Sequence, residues 1–160
     1  MGENLESGRG NMIKLGIISD THGRLRPEAA EHLAGCSYIL HAGDIDRPDI
    51  LEKLEEIAPV CAVRGNNDWG SWASRLPRTR KVSFGGLNFF LVHNRDDVPW
   101  NLAGVDVVIF GHSHQYYEER VRGRLWLNPG SCSSPRFGRG LSMAIAVIEN
   151  GALQVEKIAL

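Results

Sequence analysis

The chain is short of cysteine, of lysine, of long apolar runs and of charge of one sign, and each shortage excludes something. Three cysteines, Cys36, Cys61 and Cys132, are odd in number and widely spaced, which fits neither a disulfide framework nor a zinc knuckle. A reducing cytoplasm is the expected compartment. No stretch approaches the ~18 uninterrupted apolar residues of a membrane span, and the first ten residues lack the apolar core of a secretory signal. The formal net charge is −1, so no global field recruits long nucleic acid. Lysine is outnumbered by arginine, four to fourteen. Arg75, Arg78 and Arg80 beside Lys81, and then Arg120, Arg122 and Arg124, read as solvated strand and loop faces; the sharper alternative is a rim that attracts an anionic substrate. What is present is ordinary: 160 residues, 42% apolar and 23% charged, the make-up of one globular domain. At that length roughly two-thirds of the unfolded surface can be buried, so a core needs no covalent staples.

Residues 1–11 are polar and glycine-rich without periodicity, and read as a disordered leader or tag ahead of a single domain over 12–160. From Met12 the pattern alternates. Met12–Ser19 is an apolar run suited to a strand buried on both faces. Leu25–Ala34 predicts a helix with Pro27 near its start and Gly35 at its end. Tyr38–Ala42 predicts a strand, Pro48–Ile57 a helix with Ile50, Leu51, Leu54 and Ile57 on one face, and Pro59–Arg64 a third strand. That βαβαβ order favours a parallel sheet with right-handed crossovers. The second half predicts hairpins: Arg80–Phe84 with Leu87–His93 around Gly85-Gly86, Tyr116–Val121 with Leu125–Asn128, and Leu141–Glu149 with Ala152–Ile158 around Asn150-Gly151. Asp106–Phe110 is a further buried run, and a short helix is expected within Asp96–Gly104. A parallel-leaning half followed by an antiparallel half implies an α/β fold in which two sheets pack face to face with helices outside.

Polar residues fall where the predicted strands end. Asp20-Thr21-His22-Gly23 follows the first, His41-Ala42-Gly43-Asp44 ends the second, and Gly65-Asn66-Asn67-Asp68 follows the third. His93 ends the second strand of the first hairpin, and Gly111-His112-Ser113-His114 follows the Asp106–Phe110 run. In open α/β sheets ligands bind beyond the carboxyl ends of the strands. Asp20, His22, Asp44, Asn66, His93, His112 and His114 form a borderline-to-hard donor set suited to manganese, iron, nickel, cobalt or zinc, with no thiolate required. One tetrahedral zinc uses three or four ligands. Seven fit two divalent cations sharing a carboxylate, the arrangement that clamps attacking and leaving oxygens in displacement at phosphorus. Gathering acids and imidazoles without a cation would cost heavily in desolvation and repulsion.

These ordered blocks, with Asn128-Pro129-Gly130-Ser131 and Pro135-Arg136 after them, resemble the calcineurin-like metallophosphoesterases, and among them the small single-domain bacterial and archaeal phosphodiesterases. The resemblance runs from about Met12 to the C-terminus. It implies a four-layer α-β-β-α sandwich, and a binuclear, metal-dependent phosphoesterase acting on a small phosphodiester, a nucleotide diester among the candidates. It assigns Asp20, His22 and His114 to one metal, Asn66, His93 and His112 to the other, and Asp44 to the bridge. A metal-bridging hydroxide would attack phosphorus, with manganese the metal first expected and nickel, iron, cobalt or zinc as alternatives. Asp44, His112 and Asn67 are set at the reacting phosphate, with Asn67 and Arg136 as substrate contacts. Two positions depart from the family pattern. Asn67 stands where the large phosphatases often have a histidine, and an amide donates a hydrogen bond but no proton at neutral pH. Asn94 stands where close relatives usually have glycine; asparagine tolerates left-handed backbone, and its side chain can narrow the site.

Bland readings hold elsewhere. His41 is expected behind the ligands, bonding a carboxylate, and Asp68 is expected to orient them. Asp46 and Asp68 are turn residues first. Trp69 and Trp72 read as loop packing, and apolar surface around them leaves a homo-oligomer open. His32 has no role. Cys36 and Cys61 are inert, whereas Cys132 lies in a Gly/Ser loop and is expected to be exposed. Ser131 is a candidate phosphate contact, with a turn role preferred for Asn128–Gly130. The alternative function is a protein-interaction scaffold of the same fold with a structural or weakened metal site. Loss of ligand histidines would mark that change, and none is lost here. A nuclease is disfavoured by the near-neutral charge.

Overall fold

Strand alternation sorts the side chains of the first strand onto two faces, and both faces are covered. The computed structural model describes residues 3–5, 12–135 and 140–160. Strand β2 (Met12–Ile18) turns Ile13, Leu15 and Ile17 into one apolar cluster and Ile18 into another. Gly16 faces the second cluster, where a Cβ would run into Leu33 and Cys36, so its bareness lets the helix above lie close. That helix, α1 (Pro27–Leu33), and α2 (Pro48–Glu55) each start at proline, which costs nothing at a position whose N–H would be unpaired. They bury Ala29, Leu33, Ile50 and Leu54 against the sheet. A four-residue helix, α3 (Ser71–Ser74), is an element with no counterpart in the sequence analysis.

The five-stranded sheet has the order β11-β10-β2-β3-β4, with β3 (Tyr38–His41), β4 (Val60–Ala62), β10 (Ser142–Glu149) and β11 (Ala152–Ala159). Strands β2, β3 and β4 are parallel, as the βαβαβ reading implies. The division into a parallel and an antiparallel half does not map onto the sheets. The C-terminal hairpin returns to the first sheet, where β10 lies antiparallel to β2. The reason is apolarity on both faces: Ala144, Ala146 and Ile148 enter the inter-sheet core and Met143 and Ile145 the helix-covered one, so β10 needs neighbours on both edges.

The second sheet runs β1-β5-β6-β7-β9-β8, with β1 (Glu3–Leu5), β5 (Thr79–Phe84), β6 (Leu87–Val92), β7 (Val107–Ile109), β8 (Tyr116–Val121) and β9 (Arg124–Pro129). It is mixed rather than antiparallel, because β6, β7 and β9 run parallel. Within residues 1–11, read from sequence as a leader or tag, Glu3–Leu5 pairs in parallel with β5. Three hairpin turns carry positive φ at both central residues: Gly85-Gly86, Arg122-Gly123 and Asn150-Gly151.

Phe84, Phe89, Leu91, Val107, Ile109, Leu125 and Leu127 meet Leu15, Ile17 and Leu40 between the sheets. Each such buried side chain contributes roughly 2 kcal/mol. The outer layer on the second sheet is thin. In place of the helix expected within Asp96–Gly104 there is a single 3-10 turn at Arg95–Asp97, then a loop whose Leu102 and Val105 carbonyls accept hydrogen bonds from the Arg124 guanidinium. Two sets of three mutually parallel strands, β2-β3-β4 in one sheet and β6-β7-β9 in the other, release their loops at one end of the sandwich, and that is where the polar blocks lie.

Candidate metal centre

The loops at that end are tied to one another before any side chain is considered. Asp20, His22 and Gly23 donate backbone hydrogen bonds to the carbonyls of Gly43, Asp44 and Ile45. Gly111 donates to the His93 carbonyl, and Cys132 reaches across the sheets to the Ser19 carbonyl. The approach is close enough to exclude side chains at Gly43, Gly65 and Gly111. A Cβ on Gly65 would overlap the Asp44 backbone and carboxylate, and one on Gly111 would overlap the Ser19 hydroxyl.

Backbone strain concentrates here. Among the described residues eight non-glycine residues have positive φ, and six of them are Asp20, His22, Asp44, Asp46, His112 and His114. Such conformations cost on the order of 1 kcal/mol each and persist only where surroundings over-determine them.

The structure gathers six of the seven sequence-nominated ligands into two groups. Asp20, His22 and His114 form one and Asp44, His93 and His112 the other, with the donor atoms of each group all within 4.8 Å of one another. In the first, Asp20 Oδ1 lies 3.3 Å from His114 Nε2 and 3.7 Å from His22 Nε2. In the second, Asp44 Oδ2 lies 3.2 Å from His93 Nε2, and His112 Nδ1 is 3.3 Å from the same nitrogen. The seventh nominee, Asn66, brings its Oδ1 to 3.2 Å from His112 Nδ1. Asp44 Oδ2 is also 3.8 Å from His22 Nε2, which puts one oxygen within reach of both groups.

The far side of three of the four imidazoles fixes which nitrogen faces inward. His93 Nδ1 is 2.8 Å from the Ala42 carbonyl and His114 Nδ1 is 3.0 Å from the Ser134 carbonyl. A carbonyl only accepts, so both Nδ1 atoms carry hydrogen. His22 Nδ1 donates to the Asp46 carboxylate at 3.0 Å. Neutral imidazoles so anchored aim the Nε2 lone pairs of His22, His93 and His114 into the cluster. Asp20 is tied on one side only: Oδ2 accepts from the Ser19 hydroxyl at 2.7 Å and the His112 amide at 3.2 Å. Its Oδ1 is buried and has no hydrogen-bond partner among the described residues. Lone pairs and carboxylate oxygens that converge with no donor between them fit a divalent cation in each group, and the N/O donor set suits a borderline metal.

Without a cation between them, the acids and imidazoles favour one another's charged forms. Burial pushes the Asp20 carboxyl up, but His114, His93 and Ser19 outweigh it and hold Asp20 below the usual carboxylate range. For Asp44 burial is likewise outweighed, by His93, the Asn67 amide and His22. Burial pulls His93 down, and Asp44 and Asp20 raise it beyond that loss. Asp46 is pushed up by burial, despite its bond to His22.

Other nominated residues take specific places. Asp68 is buried, and its carboxylate accepts four backbone N–H bonds, from Ile45 and Asp46 at 2.8 Å, Gly65 at 2.7 Å and Asp44 at 3.1 Å. Asn67 gives its backbone N–H to Asp44 Oδ1 at 2.9 Å and leans its side-chain amide toward Oδ2 at 3.4 Å. Asn94 does not need the left-handed backbone considered for it; at φ −106° it is extended, and its side chain accepts from the Asp96 amide. Arg136 lies outside the described residues.

His41 bonds no carboxylate, contrary to expectation. It accepts from the Gly43 amide at Nδ1 and meets the Thr21 hydroxyl at Nε2, each at 3.0 Å. Complete burial, only partly offset by Asp20 and Asp44, pulls His41 down to about 4. The folded state therefore resists protonating it while the unfolded chain takes a proton below about 6.5. Its stabilising effect is complete above that pH and is lost as pH falls toward 4, an acid loss of about 3 kcal/mol for this group. Urea unfolding between pH 7 and pH 4 should show that slope. His41→Gln should flatten it, and an unchanged slope would remove His41 from the account.

Three expectations are corrected. Ser131 is buried and donates to the Asp20 carbonyl at 3.0 Å, which turns it away from any phosphate. Cys132 is fully buried rather than exposed, and burial pushes its thiol up to about 12. Trp72, a residue of α3, packs against the helix-covered cluster, but Trp69 is 72% exposed and packs little. One residue that matters to the site was read only as a turn residue. Asn128 is fully buried and donates to the Gly111 carbonyl and to Ser113 Oγ, each at 3.1 Å, which pins the loop carrying His112 and His114. Its polarity at the inner end of an apolar strand was the available signal.

Comparison with known proteins supplies the family. The model of the calcineurin-like phosphoesterase superfamily domain matches residues 13–151. A probable metallophosphoesterase of Methanothermobacter thermautotrophicus is 38% identical over 137 residues, covering 77% of this chain and 79% of its own. Phosphodiesterase YfcE of Escherichia coli is 31% identical over 173 residues, covering 90% of this chain and 91% of its own. A solved structure described as a novel archaeal phosphodiesterase superposes with a TM-score of 0.79 at 26% identity, over 92% of this chain and 100% of the other.

Proposed function

We propose that this chain, which belongs to the calcineurin-like phosphoesterase superfamily and is a metal-dependent phosphoester hydrolase, cleaves a small phosphodiester at a centre for two divalent cations. The observation that carries the proposal is the inward-facing donor set: three Nε2 lone pairs and the unpartnered Asp20 Oδ1, with one Asp44 oxygen within reach of both groups. Asp20, His22 and His114 would hold one cation, Asn66, His93 and His112 the other, and Asp44 would touch both. The chemistry supplied by such a pair when bound is acidification of a shared water for attack on phosphorus and neutralisation of charge growing on the phosphoryl oxygens.

The chain's own residues then bind and orient. Asp44 is held in place by the Asn67 backbone amide at Oδ1, which turns Oδ2 toward both ligand groups. The Asn67 side chain can donate to a phosphoryl oxygen but carries no transferable proton, so the leaving group draws its proton from solvent. Esters with acidic leaving groups, nucleotide diesters with good leaving groups included, are the substrates this arrangement favours. Arg136 is a second candidate phosphate contact. Manganese suits the donor set first, and nickel, iron, cobalt and zinc are also accommodated. A small substrate, a cytoplasmic setting and no long nucleic acid complete the reading, and among the described residues no helix is long and apolar enough to cross a membrane. A scaffold role draws no support from a cage in which every ligand-type side chain is kept.

Chelation of the purified protein should lower hydrolysis of bis(4-nitrophenyl) phosphate at least about 100-fold, and added manganese should restore it. Elemental analysis should return two metal ions per chain. No turnover with any divalent metal, in protein shown to be folded, would overturn the proposal.

A further inference from the structure

Arg95 stands two residues beyond His93, on the exposed 3-10 turn. The Asn94 side chain fixes that turn by accepting from the Asp96 amide at 2.9 Å. The turn throws the Arg95 guanidinium back over the outer face of the second sheet. Its carbon lies 4.9 Å from the ring centroids of Tyr117 and Trp126 and 5.4 Å from that of Phe110. Three aromatic rings hold a cation flat without neutralising it. Among the described residues no carboxylate forms an ion pair with Arg95 and no acceptor takes its side-chain N–H groups; its contacts are the three rings. Asp96 also lines the same space, and among the described residues it forms no ion pair with Arg95.

That space is a cleft of about 360 Å³. Its wall includes His112, one of the metal-ligand candidates, together with Asn94, Phe110, Gln115 and Tyr117. A group seated in it would extend outward from a phosphorus held at the second ligand group. It would meet an aromatic floor, amide side chains and a guanidinium fork that pairs with no described carboxylate, the geometry that recognises a planar or tetrahedral oxyanion.

We infer that this cleft seats one ester arm of the substrate and that Arg95 selects an arm carrying a second anionic oxyacid group. The inference rests on the phosphodiesterase reading above, and it adds the class of substrate. Turnover of 4-nitrophenyl methyl phosphate is compared with that of its 3-carboxy and 3-phosphono derivatives. The anionic esters should be favoured in kcat/KM by about tenfold, mainly through KM, and the larger of the two ratios identifies which oxyanion the cleft fits. Arg95→Gln should bring the ratio of anionic to plain ester near one. Arg95→Lys should leave an intermediate ratio, because it keeps charge but loses the fork. A ratio near one in the unaltered protein, or the same ratio in Arg95→Gln as without it, overturns the inference and reduces Arg95 to a clamp on the aromatic face. Melting temperatures verify that the variants are folded.

A second measurement does not depend on turnover. In zinc-loaded protein the Arg95 Nε–H resonance should move on titration with the non-hydrolysable phosphonate analogue of the 3-carboxy ester and stay still with that of the plain one. A silent Arg95 overturns the subsite and leaves phosphodiester hydrolysis standing. A responsive Arg95 in a protein that hydrolyses none of the three esters keeps the subsite and sinks the hydrolytic reading.

Discussion

Asp44→Asn is expected to lower phosphodiester turnover by about 1000-fold or more at saturating metal. The geometry makes the reason specific. Asp44 Oδ1 accepts the Asn67 amide at 2.9 Å, so an asparagine that keeps this bond must place its NH2 where Oδ2 now lies. Oδ2 sits 3.2 Å from His93 Nε2 and 3.8 Å from His22 Nε2. The substitution thus points a donor at two inward lone pairs and removes the negative oxygen within reach of both groups. Bound metal should fall from two ions per chain to about one, with little change in thermal stability, because size and the Asn67 bond are both kept. Steady-state kinetics and elemental analysis on the same preparation test this. A variant that retains more than about a tenth of the activity would show that Asp44 is not the shared ligand.

Asp68→Ala acts through the backbone. The carboxylate gathers the amides of Asp44, Ile45, Asp46 and Gly65 at 2.7–3.1 Å, and it is buried. Truncation strands four donors where water reaches poorly. Each orphaned donor costs about 1–3 kcal/mol, and partial relaxation leaves a net loss of about 4 kcal/mol. For a domain of this size that is a fall in Tm of roughly 10 °C. Asp68→Asn should recover less than half, because a single oxygen remains to accept. The effect should appear in the metal-free protein. A loss under about 1 kcal/mol in urea unfolding would mean that the Asp44–Asp46 loop is held by other contacts.

The α/β sandwich was legible in the sequence because its signals are local. Apolar runs such as Met12–Ser19, proline at helix starts and glycine turns such as Asn150-Gly151 act within a few residues, and the structure puts strands, helices and hairpins there. Which sheet a strand joins is not local. Strand β10 returns to β2 because it is apolar on both faces, and only the assembled layers reveal that requirement. At the site the residue types and their positions at strand ends could be read, but their partners could not. Asp68 looks like an ordinary turn residue, and its four amide partners come from two loops, one of them more than twenty positions away. His41 and Ser131 suggested a carboxylate and a phosphate as neighbours; folding gave them a threonine hydroxyl and a main-chain carbonyl. The left-handed backbone at Asp20, His22 and His112 runs against local preference, so no propensity could foretell it.

The outward nitrogens of His22, His93 and His114 rest on Asp46, Ala42 and Ser134, all supplied by the polypeptide itself. A cage propped from behind in this way would need no refolding to receive or surrender the proposed ions. Exchange of one element for another would then be a matter of ligand-field preference and abundance, the occupant following whichever cation the surroundings provide in excess.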